Sequence, residues 1–299
     1  MRGLRAVSTV KKVLLDSPSL GFGDAICLQP TIERFRERGF NVSVRARNPL
    51  LSPLLNLFGA SYVPFWHVLA DELYINVEGI ACQLEVRQDV NGNRAKAYLM
   101  ATGVHGLALN TPPRISRQLL PAQKVKTPEG VFVQLYGGEP YKQMSAEWYK
   151  RLISMAVIRN TPLWTIVDPG TFDDMRAAYG KQVKVITCGY DITQAMAVFA
   201  NTESAIVLCS SWLQIAGALG VPAIALLGPT TSGGRVAGYP TIRMAENSCK
   251  YRPCWRVSNI RCQLDGSLVS KCLEDLDPTD ILEQAVQVAD LGKRGVERK

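Results

Sequence analysis

The sequence has few of the features that define several large classes of protein. Only two of its 299 residues are histidines, His67 and His105, so a catalytic metal site built from three histidines is excluded. No apolar run reaches the roughly 18 residues that a membrane-spanning helix needs, and the strongest run, 221–227, has the length of a β-strand. A phosphate-binding loop of the Gly-x4-Gly-Lys-Ser/Thr type and a Gly-x-Ser-x-Gly nucleophile elbow are also missing. These absences argue against a P-loop nucleotidase, an α/β serine hydrolase and a membrane-spanning protein.

Acidic residues are too few to balance the basic ones, and the basic excess lies at the two ends of the chain. There are 34 lysines and arginines against 26 acidic residues, which gives a net charge of +8. Residues 1–12 and 293–299 supply +7 of this charge, whereas 13–127 carries +3 and 128–292 carries −2. We therefore expect an anionic partner to dock on the first half. The basic tails are suited to contact a membrane surface or nucleic acid, although the nearly neutral body makes nucleic acid the less favoured partner.

The N-terminus and the isolated cysteines predict a cytoplasmic protein. The apolar stretch after the first basic residues is broken by Asp16 and Pro18, so it does not have the pattern of a secretory signal. Four cysteines occur singly in apolar segments, which is typical of buried thiols in a reducing compartment: Cys27, Cys82, Cys188 and Cys209. Because the tails are basic, we also expect peripheral contact with the inner membrane.

Hydrophobic periodicity predicts an α/β fold with two Rossmann-like domains, each a doubly wound parallel sheet, that face a cleft. The predicted domains are 1–127 and 128–299, and the cleft between them is the expected functional site. In the first domain, strands are predicted at 12–16, 41–47 and 61–65, and helices at 24–38 and 49–58. In the second, strands are predicted at 131–135, 163–167, 183–187, 205–209 and 223–227, and helices at 145–159, 172–179, 192–201 and 211–219.

The loop between the first strand and the first helix contains Gly21, Gly23 and Asp24. Two glycines allow the backbone to approach a ligand closely. Asp24 has two interpretations, an N-cap of the helix, which is the commoner role of an aspartate there, and a base that faces the cleft. The dinucleotide-binding pattern is incomplete, because Cys27 lies where its third glycine or an alanine is expected.

Three loops of the second domain are candidates for holding an anionic group. Glycines that precede a lysine or a helix let backbone amides approach an anion, and hydroxyls at a helix N-terminus form a seat for a diphosphate. The alternative for the first loop is a solvated turn, and the alternative for the serines is simple helix capping, which can coexist with phosphate binding. The candidate residues are Gly137, Gly138 and Lys142, then Ser210 and Ser211, then Gly228 and Thr230.

Taken together, these segments resemble glycosyltransferase family 9, the heptosyltransferase-like enzymes of lipopolysaccharide core assembly. The resemblance covers nearly the whole chain. It rests on the Gly-x-Gly-Asp loop with the following Pro30 helix, on 142–149, which is similar to Lys-Arg-Trp-Pro-x-Glu-x-Phe, and on 216–222 followed by Gly-Pro-Thr. The resemblance also includes a cysteine-rich segment before the last helix. The family implies a GT-B fold, with the acceptor bound by the N-terminal domain and a nucleoside diphosphate sugar bound by the C-terminal domain.

The resemblance implies an inverting, metal-independent sugar transfer. Asp24 matches the aspartate taken as general base, which removes a proton from the acceptor hydroxyl as the nucleoside diphosphate leaves. Lys142, Ser210 and Ser211 would stabilise the leaving charge. The implied partners are an ADP-heptose-like nucleotide sugar and an anionic acceptor, either a lipopolysaccharide-core glycan or a glycolipid. The sequence departs from the family at 208–214, where Leu-Cys-Ser-Ser-Trp-Leu-Gln replaces Asn-Asp-Ser/Thr-Gly-x-x-His.

A second group of cysteines lies within 24 residues near the C-terminus, in the segment 249–272 of the second domain. Four cysteines so close together in a cytosolic chain are typical of a structural zinc site, although no pair has the compact Cys-x2-Cys spacing. Buried reduced thiols and two disulfides are the alternatives. The candidate metal ligands are Cys249, Cys254, Cys262 and Cys272.

Two other functions remain open beside glycan modification. One is the same transfer chemistry on DNA bases or another acceptor that is not a glycan, because one fold serves many acceptors. The other is a catalytically decayed protein that binds a nucleotide sugar, which the replacements Cys209 and Gln214 favour.

Overall fold

The computed structural model describes residues 11–67, 73–86, 93–104, 111–229, 232–252, 254 and 261–296. In these ranges the strands form two sheets in which every pairing is parallel, with helices between most successive strands. The α/β fold class predicted from hydrophobic periodicity is thereby confirmed. No helix in the described ranges is both long enough and apolar enough to cross a lipid bilayer.

The first sheet has four described strands in the order β3-β2-β1-β4. Two of its helices connect successive strands, and two more follow the fourth strand. The strands are β1 (Lys11–Asp16), β2 (Phe40–Ala46), β3 (Ser61–Pro64) and β4 (Leu73–Asn76), and the helices are α1 (Phe22–Glu37), α2 (Ser52–Leu57), α3 (Val77–Val86) and α4 (Arg94–Thr102).

The second sheet has six described strands in the order β10-β9-β8-β5-β6-β7, which reverses direction next to β5. Such a reversal opens a crevice at the carboxyl ends of the strands. The strands are β5 (Val131–Val133), β6 (Leu163–Val167), β7 (Val183–Thr187), β8 (Ser204–Leu208), β9 (Ala223–Leu226) and β10 (Ile242–Ala245). The helices are α5 (Ala146–Ile158), α6 (Phe172–Tyr179), α7 (Ile192–Phe199), α8 (Ser211–Leu219), α9 (Ser232–Val236), α10 (Lys271–Glu274) and α11 (Pro278–Val296).

Most predicted element boundaries agree with the structure, and the differences have local causes. β6, β7, α6 and α8 match the prediction residue for residue. The predicted helix 49–58 is instead a 3-10 turn, Pro49–Leu51, followed by α2, because Pro53 lacks the backbone N–H that would continue a helix from the turn. β4, α3, α4, α9, α10 and β10 were not predicted; the two strands and the helices α9 and α10 are only four or five residues long, and α4 has no clear apolar stripe.

The strands of the second sheet send alternate side chains to two different cores. Phe132 of β5 belongs to one core and its neighbours Val131 and Val133 to the other. The Phe132 core continues into the first sheet, where it includes Val13 and Leu15. One apolar core therefore joins the two sheets, and a second lies on the far side of the second sheet beneath α5 and α11.

The segment between the sheets is hydrogen-bonded to the ends of two helices. Its residue Ile115 donates its backbone N–H to Ala218 of α8, at 2.9 Å. Further along, the Gln123 amide donates to the carbonyl of Ala197 in α7, at 2.6 Å, and the Thr127 hydroxyl donates to that of Val198, at 2.7 Å. The segment thus satisfies carbonyls that the last turns of α7 and α8 leave without helical partners.

Asp16, at the carboxyl end of β1, holds the ends of its two neighbouring strands. Its carboxylate accepts a hydrogen bond from Arg45 Nε, at 2.7 Å, and another from the Tyr74 hydroxyl, at 2.5 Å. Only 5% of the Asp16 side chain is exposed. Burial opposes ionisation, but the hydrogen bonds from Arg45 and Tyr74 and the charge of Arg45 outweigh it and lower the pKa of Asp16 below 3.8, its ordinary value.

We predict that Asp16→Asn lowers the free energy of unfolding by about 2 kcal/mol at pH 7, because it removes the charged partner of a largely buried arginine. A lowered pKa stabilises the fold above the unfolded-state value and loses that contribution as the pH falls through the folded-state value. The difference between wild type and variant should therefore shrink as the pH falls below the ordinary value of 3.8 and through the lowered pKa of Asp16, as measured by urea unfolding at a series of pH values. The exposed substitution Glu129→Gln serves as control, and a difference that stays constant with pH would contradict the prediction.

Candidate active site

A cavity of about 320 Å³ lies where the first turns of α1 and α8 meet. Residues from both sheets line it, and most of the residues predicted from the sequence are among them. The predicted residues in its wall are Gly21, Gly23, Asp24, Gly138, Lys142, Ser210 and Ser211. The structure therefore brings together in one cavity three loops that are far apart in the chain.

Two of the predicted glycines lie away from this cavity. A β-carbon at Gly228 would lie 2.9 Å from the Leu273 side chain, so this glycine makes room for core packing. A β-carbon at Gly137 would meet Leu208 and Gln143 at 3.1 and 3.3 Å. Thr230, the remaining predicted residue, is outside the described residues.

The backbone of α1 touches the backbone of α8 at Gly23. A β-carbon at this position would lie 3.1 Å from the Cα of Ser211, closer than side chains normally approach. By contrast, a β-carbon at Gly21 would come no nearer than 3.8 Å, to the Asp24 carboxylate. A larger residue would therefore fit at Gly21, whereas the contact between the helices requires a glycine at Gly23.

Asp24 is not the N-cap of its helix, because α1 begins two residues earlier than predicted. The N-cap position is Gly21, and Asp24 lies within the first turn, where a carboxylate is favoured by the helix dipole. The Asp24 carboxylate is 38% exposed and lies 3.5 Å from Nε of Arg94. Asp24 therefore does not cap the helix, and the capping interpretation is wrong. Its carboxylate faces the cavity.

Ser210 performs the capping role that was one of its two predicted roles. Its hydroxyl accepts from the backbone N–H of Trp212, at 3.2 Å, and donates to Oε1 of Gln134, at 2.8 Å. The same Gln134 oxygen accepts the backbone N–H of Leu208, at 3.0 Å. The buried amide of Gln134 therefore fixes the end of β8 and, through Ser210, the start of α8.

Gln214 lies where the resemblance expects a histidine, and it connects three parts of the chain. Its Oε1 accepts from the hydroxyl of Tyr239, at 2.9 Å, and from the thiol of Cys27 in α1, at 3.4 Å. Its amide nitrogen donates to the carbonyl of Arg235, at 3.4 Å. This buried neutral side chain is therefore part of the packing between α1 and α8.

The sequence reasoning missed two cations in the wall of the cavity. Arg94 is the first residue of α4, and Arg235 belongs to the short helix α9. Together with Lys142 they place three positive charges around Asp24 and the two helix N-termini. The helix start at Arg94 has a local signal, since Asn93 caps it by accepting the N–H of Lys96 at 3.0 Å. Arg235 has no comparable signal in the sequence.

A second cavity, of about 370 Å³, adjoins the first and shares Phe22 and Ser211 with it. It opens at the carboxyl ends of β5, β6 and β7 and has an apolar floor that includes Ile166 and Trp212. Tyr136 and Tyr190 also line it, with 53% and 57% of each residue exposed. No sequence motif marked this cavity, because its residues come from three separate loops.

Asp168 is the acidic group of the second cavity and follows directly after β6. Its Oδ1 accepts the backbone N–H of Thr171, at 3.1 Å, and its Oδ2 accepts the Thr171 hydroxyl, at 3.2 Å. An acidic residue just after the second strand of a Rossmann-like unit is the usual partner of a ribose hydroxyl. The carboxylate is exposed at the cavity wall, so it has lone pairs left for a ligand.

The clustered cysteines near the C-terminus form no disulfide in the structure, unlike the alternative of two disulfides considered above. Burial raises the pKa of the Cys272 thiol to about 11, and the nearby thiols of Cys249, Cys254 and Cys262 add to the increase while Arg252 opposes it. The four thiols thus lie near one another. In the described ranges, however, no three histidine, cysteine or acidic side chains are arranged to hold a metal ion.

Comparison with known proteins identifies the fold. No protein-family profile matches the sequence, and no curated protein matches it either. Three solved structures with the same fold are glycosyltransferases. ADP-heptose lipopolysaccharide heptosyltransferase II of E. coli is 13% identical, with 94% of this chain and 99% of that chain covered at a TM-score of 0.57. The family 9 glycosyltransferase of Veillonella parvula is 11% identical, with 94% and 98% covered at a TM-score of 0.60.

The third structure is TibC of enterotoxigenic E. coli, described as a dodecameric iron-containing heptosyltransferase in complex with ADP-D-β-D-heptose. It is 12% identical, with 94% of this chain and 77% of that chain covered at a TM-score of 0.69. The chain therefore has the GT-B fold of nucleotide-sugar glycosyltransferases. More narrowly, this is the heptosyltransferase-like form of the fold that glycosyltransferase family 9 has.

We predict that Gly23→Ala destabilises the protein by about 1–2 kcal/mol, because a methyl group would press against the backbone of α8. Gly21→Ala is the matched control, and we expect it to leave the stability close to wild type. Urea unfolding measures the effect. A Gly23→Ala protein as stable as wild type would contradict the prediction, because it would show that α8 can shift without loss of stability.

Proposed function

We propose that the protein is a glycosyltransferase that moves a heptose-like sugar from a nucleoside diphosphate sugar to an acceptor hydroxyl. The observation that carries this proposal is the pair of adjoining cavities, one apolar and aromatic and the other lined by cations and two helix N-termini. A nucleoside requires the first kind of surface and a diphosphate the second. The similarity of fold to heptosyltransferases, one of them in complex with ADP-D-β-D-heptose, supports the same assignment.

The donor is proposed to lie across the two cavities, with its base in the larger one. Its base would lie between Tyr136 and Tyr190 on the apolar floor, and Asp168 would accept hydrogen bonds from the ribose hydroxyls. The diphosphate would then reach the start of α8, beside Ser211, which lines both cavities. Lys142 and the backbone of Gly138 complete a positively charged seat for it.

Asp24 is the proposed general base. Its carboxylate would remove the proton of the acceptor hydroxyl while that oxygen attacks the anomeric carbon and the bond to the diphosphate breaks. Attack opposite the leaving group inverts the anomeric centre. Positive charge from Lys142, Arg94 and Arg235 and from the two helix N-termini would stabilise the leaving diphosphate without a metal ion. Ser210 would assist through its position at the start of α8.

The acceptor is proposed to bind on the side of residues 1–127, and the donor on the side of 128–299. The net charges of +3 and −2 in the two bodies support an anionic acceptor, such as a lipopolysaccharide-core glycan or a glycolipid. The basic tails would support contact with the inner face of a membrane in the cytoplasm. Because Asp24 and Lys142 face one cavity, the geometry favours an active transferase over a decayed nucleotide-sugar-binding protein.

We predict that substitution of Asp24 impairs turnover, whereas substitution of Asp168 impairs ADP binding. Asp24→Asn should lower turnover about 100-fold or more, because it removes the base, and leave ADP affinity nearly unchanged. Asp168→Asn should weaken ADP binding about tenfold, because it removes a charged acceptor for the ribose. Calorimetric titration measures ADP binding, and release of ADP from ADP-heptose and other nucleotide sugars, with a glycan extract as acceptor, measures turnover.

Three outcomes of that experiment would contradict the proposal in different ways. Full activity of Asp24→Asn would overturn the role of Asp24 while leaving the donor site intact. Failure of the wild-type protein to bind any nucleoside diphosphate or nucleotide sugar would overturn the donor site itself. Binding without turnover of any nucleotide sugar would favour the decayed protein.

We also propose that the four clustered cysteines hold a structural metal ion. Four neighbouring thiols are the ligand set that zinc takes in structural sites, and TibC is described as containing iron. As they stand, the four side chains do not form a ready-made ligand set, so binding would require the segment 249–272 to adjust. The ion would be structural, since neither proposed catalytic group belongs to this segment.

The metal prediction is tested by elemental analysis of the purified protein. We expect about one zinc or iron ion per chain and loss of that ion in Cys262→Ser, because three thiolates hold such ions far more weakly than four. Cys82→Ser, which removes an exposed cysteine of α3, is the control and should retain the ion. A wild-type protein with no bound metal would contradict the prediction.

A further inference from the structure

Lys142 lies in the connection between β5 and α5, and we call residues 138–145 of this connection the lysine loop. The regular part of the loop is one 3-10 turn, Pro140–Lys142, in which the backbone N–H of Lys142 donates to the carbonyl of Glu139, at 2.9 Å. Gly138, Glu139 and Lys142 line the smaller cavity. A single turn cannot fix the loop against the rest of the fold. The contacts that the loop makes with other elements therefore decide where Lys142 lies.

The short helix α10, which is distant in the sequence, holds the lysine loop at positions before and after Lys142. Ser270, directly before α10, donates its hydroxyl to the carbonyl of Tyr141, at 2.5 Å. Glu274, the last residue of α10, accepts the backbone N–H of Ser145 at Oε1 and the Ser145 hydroxyl at Oε2, both at 2.5 Å. The partners in each pair are 129 residues apart in the chain. Lys142 thus lies between two points that a distant segment fixes.

Apolar packing brings α10 and the lysine loop together. Leu273 of α10 and Met144 of the loop are both buried and belong to the same apolar core, the one beneath α5 and α11. Ser270 is also buried, so its hydrogen bond to the loop is shielded from water. Hydrogen bonds to a carboxylate, such as those of Glu274, are stronger than bonds between neutral groups. The bonds of Ser270 and Glu274 therefore join two surfaces that the core already holds in contact.

Glu274 also orients the residue at which the loop ends and α5 begins. Ser145 is the N-cap of α5, and its oxygen accepts the backbone N–H of Trp148, at 3.2 Å. A hydroxyl has one proton to donate, and Ser145 gives it to Glu274. The indole N–H of Trp148 donates to the carbonyl of Leu276, at 2.7 Å, and so ties the first turn of α5 to the segment after α10. The end of the lysine loop therefore cannot move without breaking bonds to Glu274.

We propose that Glu274 is a positioning residue for the donor diphosphate, because together with Ser270 it holds the lysine loop so that Lys142 stays at the diphosphate seat. The inference rests on the proposed transferase function. Glu274 is not among the residues that line either cavity, so it would act through Lys142 and not on the donor itself. Without Glu274 the loop would have to be ordered when the diphosphate binds, which lowers affinity. Lys142 does not line the larger cavity, so binding of the nucleoside should not depend on Glu274.

The experiment measures binding of ADP and of adenosine to variants of the full chain by calorimetric titration. Glu274→Ala should weaken ADP binding about three- to tenfold and leave adenosine affinity within about twofold of wild type. Ser270→Ala should weaken ADP binding about two- to threefold, because it removes one bond between neutral groups. Glu274→Gln should retain most of the ADP affinity, since its amide can accept the Ser145 N–H and donate to the Ser145 oxygen.

A double-mutant cycle separates positioning of Lys142 from a general loss of structure. Lys142→Ala removes the charge at the seat, and adding Glu274→Ala to it should change ADP affinity by no more than about twofold, because no lysine remains to be positioned. Glu283→Ala is the matched control. It removes a carboxylate that accepts a hydrogen bond from Arg159 at the opposite end of α5, and it should bind ADP like wild type.

Three outcomes would overturn the positioning role and leave the transferase proposal in place. They are wild-type ADP affinity in Glu274→Ala, equal losses of ADP and adenosine affinity in that variant, and the same loss of ADP affinity from Glu274→Ala with and without Lys142. Failure of the wild-type chain to bind any nucleoside diphosphate would instead overturn the transferase proposal, and the role of Glu274 with it.

Discussion

The first turns of α1 and α8 touch through backbone atoms, and the position of every group in the candidate site depends on that contact. Gly23 lies directly against Ser211, so the loop that carries Asp24 and the turn that carries Ser210 form opposite walls of one cavity. Each helix also directs the partial positive charge of its N-terminus into this space. Two such ends held together by packing repel each other, and an anion between them would relieve the repulsion. The fold is thus arranged to favour a negatively charged ligand before any side chain is considered.

Buried glutamines join the elements around this contact. Gln134 fixes the end of β8, Gln214 connects α8 with α1, and Gln29 of α1 accepts the backbone N–H of Arg114 in the segment between the sheets, at 3.1 Å. An amide offers both donors and an acceptor and carries no charge, so it can be buried without a counter-ion. Where the resemblance expects a histidine, Gln214 therefore provides a connection that does not change with pH. The packing around the site therefore depends on neutral groups.

Sequence reasoning located the chemistry that lies in short motifs and missed the chemistry that the topology assembles. The Gly21–Asp24 loop, Lys142 and the two serines were visible because each follows a strand and precedes a helix, which is a local pattern. Asp168 and Tyr190 share a cavity only because β6 and β7 end side by side, and no spacing in the chain indicates that. Arg94 was hidden because α4 is short and carries no clear apolar stripe. Most strands could be predicted because they contain runs of β-branched and apolar residues, whereas β4 and β10, which are short and partly exposed, could not.

The segment between the two sheets has a mechanical consequence. Its hydrogen bonds end on Ala218 of α8 and on Ala197 and Val198 of α7, and they complete the last turns of both helices. These three bonds tie the segment to helices of the second sheet, so the segment would move with that sheet if the two sheets changed their relative position. Such a movement would instead disturb the apolar core that the two sheets share and the hydrogen bond from the Arg114 backbone to Gln29 of α1. The relative position of the two walls of the cavity thus depends on apolar packing between the sheets.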